Sequence, residues 1–262
     1  EPLFLTDYIA TGKVQPAVVA DIVRGVAEGC KMAGMALLGG ETAEHPGVMA
    51  EGEYDLAGAG TGVVEAENLL GADRVQEGDV VIAMSSSGLH SNGYSLARHV
   101  LLGDKGFNLD SHIAELGRTL GEEMLEPTRI YTKACLKLAK NLDTSLHTFS
   151  HVTGGGLAAN LARVLPENLA ADIDRNSWQV PTIFNLISDI GKVSRADMEQ
   201  TFNQGIGMFA VVSSDATVAA LKDLSNQGFD AFVCGNVRTR KNNESGDAQA
   251  KGGKGGAVFL TN

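Results

Sequence analysis

Four short stretches carry the groups that could do chemistry. Residues 85–93 read Ser-Ser-Ser-Gly-Leu-His-Ser-Asn-Gly and residues 39–47 read Gly-Gly-Glu-Thr-Ala-Glu-His-Pro-Gly. Residues 151–156 read His-Val-Thr-Gly-Gly-Gly and residues 202–208 read Phe-Asn-Gln-Gly-Ile-Gly-Met. The first stretch follows a continuous apolar run at 80–84 and precedes Leu96, Ala97, Val100 and Leu101 at helical spacing. Strand, glycine loop and helix together can hold an anion. The first helical N–H groups lack partners inside the helix, and the helix dipole places partial positive charge there. His90, Ser91 and Asn92 add side-chain donors. A capped turn, with Ser91 or Asn92 as N-cap, satisfies the same pattern. Local pattern leaves the two readings level.

Stretch 39–47 sets Glu41 and Glu44 beside Thr42 and the pair Gly39-Gly40. Hard carboxylate oxygens hold Mg²⁺ and glycine-loop amides hold phosphates, so this is the composition of a magnesium–nucleotide loop. A surface turn with solvated glutamates is the plainer reading. Three successive glycines at 154–156 are entropically costly, and close backbone contact with a ligand or a tight turn would each explain them. Asn203 and its glycines form at least a kinked strand entry. Among the six histidines only His90 and His151 sit in glycine loops; His45, His99, His112 and His147 read as structural or surface groups. No P-loop, zinc-protease helix or nucleophile elbow is present in the sequence.

The elements that must position these stretches follow from periodicity. Residues 2–8 read as a strand, then Pro16 opens a helix with one apolar stripe (Val18, Val19, Ile22, Val23, Val26, Cys30) ending near Gly34. Residues 35–38 form a short strand running into the glycine loop at 39–47. Residues 53–65 form another strand, whose Gly58, Gly60 and Gly62 leave one face bare for a close neighbour. A domain boundary is expected near 65, giving units 1–65 and 66–262. In the second unit the pattern predicts strands at 80–84, 146–152, 170–173, 209–213, 231–237 and 258–260. It predicts helices at 94–102, 131–141, 157–164, 178–190, 194–201 and 216–227, with 113–125 broken but helical. Residues 103–112 form a polar loop, and the Lys-, Gly- and Asn-rich stretch 238–256 an exposed mobile one. The long loops leave α+β and a regular doubly wound α/β sheet equally open.

Composition bounds the function. The 262 residues carry a net charge of −11 and are 44% hydrophobic, ordinary for a soluble globular protein. That charge argues against nucleic-acid and anionic-membrane partners. Small anionic substrates remain open, because helix ends and Mg²⁺ bind phosphate inside acidic proteins. Cys30, Cys135 and Cys234 are far apart and read as buried thiols of a reducing compartment. With no signal peptide or long apolar span, the expectation is cytoplasmic.

Together the stretches resemble one family. Residues 2–8, Gly39-Gly40-Glu41-Thr42-Ala43-Glu44, Ser86-Ser87-Gly88-Leu89-His90-Ser91-Asn92-Gly93-Tyr94, Pro127-Thr128-Arg129-Ile130-Tyr131, the 151–156 stretch and Thr201-Phe202-Asn203 with Gly205 and Gly207 are similar, in order, to the phosphoribosylformylglycinamidine cyclo-ligases. These enzymes are also called aminoimidazole ribonucleotide synthetases. The resemblance covers nearly the whole chain. It implies the remainder of an N-terminal, barrel-forming ATP and dimerisation domain (1–65) and a C-terminal α/β substrate domain (66–262), in a homodimer. It implies ATP and Mg²⁺ as cofactors and formylglycinamidine ribonucleotide as substrate. Carried over residue by residue, Gly39, Gly40, Glu41 and Thr42 bind nucleotide, and Glu41 binds the metal. Ser91, Asn92, Thr153, Gly154, Gly155 and Asn203 bind substrate. His90 is the catalytic candidate, polarising the formyl oxygen, and Arg129 reads as structural.

The family's opening Gly-Thr-Asp-Gly-Val-Gly-Thr-Lys phosphate loop and later Asn-Asp pair are not in this sequence. The chain is therefore expected to lack that N-terminal part and to be inactive or weakly active alone. Rival expectations are a related small-molecule kinase, an enzyme of the formylglycinamidine ribonucleotide synthetase type, and a non-catalytic dimerisation module.

Overall fold

The computed structural model describes residues 1–103 and 106–262. Asp104 and Lys105, inside the loop expected at 103–112, lie outside the described residues. The chain divides into two compact units, Glu1–Leu69 with Ile130–Lys137, and Leu70–Arg129 with Leu138–Asn262.

The first unit is built on β1 (Pro2–Thr11), α1 (Pro16–Ala33), β2 (Ala36–Glu44) and β3 (Tyr54–Gly62). Proline stands in the first turn of α1, and Gly34 ends the helix in the left-handed region, its N–H donating to the carbonyls of Cys30 and Lys31. β1 and β2 are parallel, so the chain needs a crossover between them, and α1 supplies it. β3 pairs antiparallel with β1, giving the order β2-β1-β3. Ile9 and Thr11 of β1 are buried.

One expectation changes here. Residues 39–44 are not a loop: they continue β2, with Gly39, Gly40, Glu41 and Thr42 opposite Thr6, Asp7, Tyr8 and Ile9. The sequence reading took the glycine pair as a loop signal. A Cβ on Gly40 would overlap the Asp7 carboxylate, so the small residue answers a close neighbour on β1. Among the described residues this sheet has three strands and two edges, and no closed barrel forms within them. The bare face of β3 does have a neighbour, since Leu5 Cδ1 lies 3.5 Å and 3.8 Å from where Cβ atoms on Gly58 and Gly60 would stand.

The second unit follows short 3₁₀ turns at Ala66–Asn68 and Ala72–Arg74. Its elements are β4 (Val80–Ser85), α2 (Tyr94–Leu102), the two-residue strands β5 (His112–Ile113) and β6 (Arg118–Thr119), and α3 (Leu120–Met124). α4 (Thr132–Leu142) begins in the first unit and ends in the second. Next come β7 (Leu146–His151), α5 (Gly156–Ala162), β8 (Leu169–Asp174), α6 (Thr182–Gly191) and α7 (Arg195–Thr201). β9 (Ile206–Val212), α8 (Thr217–Asn226), β10 (Ala231–Thr239) and β11 (Ala257–Thr261) complete it.

Six strands form one sheet in the order β11-β8-β10-β4-β9-β7. Every pairing is antiparallel except β11 with β8, so the unit is a mixed α+β sheet and not doubly wound. Central β4 is apolar on both faces. Val81 and Ala83 join a core with Leu157, Leu161, Phe209 and Val237, while Ile82 and Met84 are equally buried on the opposite face. A second core, of Leu89, Leu101, Leu120, Ile183, Phe184 and Phe202, joins α2, α3, α6 and α7.

Three further boundaries moved. Residues 113–125 form the β5–β6 hairpin and a short α3, whose Thr119 and Glu122 make a reciprocal capping box. α6 starts at Thr182 with Pro181 as its N-cap, so residues 178–181 are not helical. Stretch 238–256 is held down and not a free loop. Arg238 pairs with Asp172 at 2.7 Å and with Glu244 at 2.7 Å, and Lys251 N–H donates to the Ala159 carbonyl at 3.0 Å. Among the described residues no helix is long and apolar enough to cross a membrane.

Candidate functional site

The 85–93 loop leaves the C-terminal end of β4 and enters α2 without a side-chain cap, so neither Ser91 nor Asn92 is the N-cap. Gly93 is, in the left-handed region at φ 76. A Cβ there would overlap the Phe202 ring, so backbone conformation and packing both demand glycine. Ser91 Oγ instead lies 3.0 Å from Thr128 Oγ1.

His90 is 3% exposed, and its backbone is also left-handed, at φ 56. Its Nε2 accepts the backbone N–H of Ser87 at 3.1 Å and, at a longer 3.5 Å, that of Arg129. An accepting Nε2 places the ring proton on Nδ1. Burial first, then the neighbouring His151 and the Arg129 guanidinium, push the His90 pKa down to about 4. The ring is therefore neutral at neutral pH, a hydrogen-bond donor at Nδ1 and not a poised base. Arg129 Nη1 donates to Ser85 Oγ at 2.8 Å, and its guanidinium lies 5.6 Å from the Phe229 ring centroid. It braces the loop.

Asn203 is buried under the same loop. Its Nδ2 donates to the carbonyls of Gly88 (2.8 Å) and Leu89 (3.2 Å). Its Oδ1 accepts from Ser86 Oγ (3.0 Å) and Gly205 N–H (2.8 Å). Two donors and two acceptor sites are all that an amide side chain has, so Asn203 holds the loop and has nothing left for a substrate. That differs from the direct contact expected from the sequence.

The second glycine stretch is assembled in the same way. Asn160, fully buried in α5, donates through Nδ2 to the carbonyls of Thr153 (3.0 Å) and Gly156 (2.7 Å) and accepts Thr153 Oγ1–H at Oδ1 (3.1 Å). A Cβ on Gly156, at φ 70, would overlap the Glu199 carbonyl oxygen. Gly154 and Gly155 are left partly open, with Asn92 Oδ1 3.5 Å from the Cβ position of Gly154. The His90 and His151 ring centroids are 6.5 Å apart. Burial, and then Arg163, lower the His151 pKa. In the second unit the fold thus brings together His90, Ser91, Asn92, Thr153, Gly154 and Gly155, with Asn203 beneath.

The first-unit candidates are arranged differently. On β2 successive side chains alternate, so Glu41 and Thr42 lie on opposite faces. All four of Gly39, Gly40, Glu41 and Thr42 are exposed, on a strand whose one sheet neighbour among the described residues is β1. Glu44 Oε1 accepts Val14 N–H at 2.7 Å. Among the described residues no group of three or more His, Cys, Asp or Glu side chains is placed to enclose a metal. Mg²⁺ commonly takes one or two carboxylates and completes its shell with water and phosphate oxygens, so exposed Glu41 fits as a single ligand.

Sequence reading missed three groups. Ser86 and Asn160 hold the two loops, and an asparagine inside the apolar helix run Leu157-Ala158-Ala159-Asn160-Leu161 was a usable signal. Lys251 Nζ donates to Thr153 Oγ1 at 3.1 Å, and nothing in its Lys- and Gly-rich surroundings pointed there.

The comparisons with known proteins agree with this architecture. The family described as AIR synthase related protein, C-terminal domain, matches residues 76–247, and the corresponding N-terminal domain matches residues 1–64. Thiamine-monophosphate kinase from Stenotrophomonas maltophilia K279a superposes with a TM-score of 0.68 at 18% identity, covering 98% of this chain and 72% of that one. HypE, in its complex with HypF, gives 0.66 at 20% identity over 91% of this chain and 72% of that one. At such identities the likeness is one of fold. Fold and paired glycine loops define a member of the AIR synthase related class. Within that class, a phosphoribosylformylglycinamidine cyclo-ligase from Pseudothermotoga lettingae is 49% identical over 236 residues, 90% of this chain and 68% of that protein. The chain belongs to the phosphoribosylformylglycinamidine cyclo-ligase family, ATP-dependent ligases of purine biosynthesis.

Proposed function

We propose that this chain serves the ATP-dependent closure of formylglycinamidine ribonucleotide to aminoimidazole ribonucleotide, with the substrate on the second unit. The observation that carries the reading is the 49% identity to a cyclo-ligase across 90% of the chain. In this reaction the γ-phosphoryl of ATP passes to the formyl oxygen and ADP departs. An amidine nitrogen then attacks the activated carbon, a C–N bond forms, and the C–O bond breaks to release inorganic phosphate. Such chemistry needs positioning and charge neutralisation more than a strong base, which suits a neutral His90.

Ser91, Asn92, Thr153, Gly154 and Gly155 bind the substrate in this proposal. His90 and Asn203 set the loop on which the first two stand, and His90 is the residue assigned to polarise a formyl oxygen. The nucleotide belongs to Gly39, Gly40, Glu41 and Thr42 through the open edge of β2. Glu41 would hold Mg²⁺, which neutralises phosphate charge when bound. The first-unit strands complete a barrel across a homodimer, and the enzyme works in the cytoplasm on small molecules alone.

The test is incubation of the protein with formylglycinamidine ribonucleotide, Mg²⁺ and ATP. Any turnover, weak as expected of this chain alone, should give aminoimidazole ribonucleotide and phosphate in equal amounts. Phosphate transfer to thiamine monophosphate or selenide, with no aminoimidazole product, would move the chain to the kinase reading. ATP-independent dimerisation with no turnover of either kind would leave a non-catalytic module.

A further inference from the structure

The segment that composition marks as a loose polar loop delivers a cation to the second glycine stretch. Lys251 Nζ donates to Thr153 Oγ1 at 3.1 Å, and the lysine backbone is itself anchored, its N–H on the Ala159 carbonyl at 3.0 Å. On either side the chain is held as well. Ala250 is buried in the main core, and Gly256 N–H donates to the carbonyls of Ala162 (3.0 Å) and Leu165 (2.9 Å). A second cation meets the same stretch: Arg163 Nη2 donates to the His151 carbonyl at 3.3 Å. Among the described residues neither Lys251 nor Arg163 forms an ion pair with a carboxylate. Both cations are exposed, and in a chain of net charge −11 they form a local positive patch at one three-residue segment that an anion can meet. The segment beside them offers the partly open backbone of Gly154 and Gly155, the Thr153 hydroxyl already donating its proton to Asn160 Oδ1.

We infer that Lys251, with Arg163, forms the subsite for the substrate's phosphate monoester beside Gly154 and Gly155. This orients the ribonucleotide with its phosphate toward 151–155 and its formylglycinamidine end toward 90–92. The inference rests on the cyclo-ligase reading and deepens it, since a phosphate dianion is a group that an ammonium and a guanidinium recognise together. The AIR synthase related C-terminal match ends at residue 247, so Lys251 lies outside that matched domain.

The experiment is a binding cycle by titration calorimetry on the wild-type protein, Lys251→Ala and Lys251→Arg. The probes are formylglycinamidine ribonucleotide and the matching riboside without phosphate. The wild type should prefer the ribonucleotide. Lys251→Ala should shrink that preference by roughly tenfold while leaving riboside binding unchanged, and Lys251→Arg should restore most of it. A purely structural lysine would weaken both ligands alike, and that result overturns the inference. Full preference retained in Lys251→Ala overturns it too. A wild-type protein that does not distinguish the two ligands overturns the reading of the site and the inference with it.

Discussion

His90 carries the clearest residue-scale consequence. Its ring is held neutral by burial and by two neighbouring cationic or titratable groups, with a pKa pushed down to about 4 from 6.5. As pH falls below the unfolded value of about 6.5, the unfolded chain takes up a proton that the folded ring refuses. The contribution is therefore fully present above that pH and is lost progressively down to about 4. At pH about 5 the loss is about 2 kcal/mol. Urea unfolding of the wild type and of His90→Asn, at neutral pH and at pH about 5, isolates this term. Asparagine tolerates the left-handed backbone, so the variant should fold. The wild type should lose about 2 kcal/mol more than the variant on acidification. Parallel profiles would show that the ring titrates normally in the fold. This residue also marks a limit of sequence reading. A histidine between serine and leucine in a glycine loop looks catalytic, but which nitrogen is in use depends on the backbone N–H groups of Ser87 and Arg129.

At the scale of elements, the site is two strand-to-helix turns, β4 into α2 and β7 into α5, each tied down by a buried asparagine. The first turn was legible almost to the residue, because a β-branched run and a 3.6-residue apolar period both end where the glycines begin. The buried ties were not, since Asn203 lies over a hundred residues from the carbonyls it holds. Glycine roles separate by what surrounds them. Gly93→Ala meets the Phe202 ring and a left-handed backbone, and should cost about 2–4 kcal/mol in urea unfolding. Gly154→Ala, whose nearest neighbour is Asn92 Oδ1 at 3.5 Å, should stay within about 0.5 kcal/mol of wild type. The reverse ranking would mean that packing under α2 does not set the loop. The glycines at 39–40 show the opposite error. Their spacing suited a phosphate loop, but pairing with β1 drew them into a strand, an outcome that depends on a neighbour rather than on local propensity.

For the whole molecule the telling quantity is apolar surface. Leu38 (66% exposed), Tyr54 (53%), Leu56 (48%) and Val64 (58%) all stand on the first unit. Open edge strands with exposed large apolar side chains are surfaces that proteins cover by association. The homodimer proposed above predicts a two-chain mass by light scattering, and Leu38→Asp should lower it to that of one chain. A monomeric wild type would remove the dimer from the proposal. Stretch 238–256 teaches a related lesson. Its composition reads as disorder, yet Arg238 is pinned between Asp172 and Glu244, and Ala250 is buried in the core.

The sequence by itself determined most of the order of elements, the two glycine turns and, through its motifs, the family. The elements and turns follow from periodicity and backbone permissiveness, which are local, and the family from the likeness of its motifs to known relatives. Only the tertiary structure decided the mixed sheet, the strand at 39–44, the roles of Asn160 and Asn203 as ties, and the arrival of Lys251 at Thr153. Each of these depends on which distant backbone or carboxylate completes a hydrogen bond or ion pair, and spacing along one chain does not encode that choice legibly.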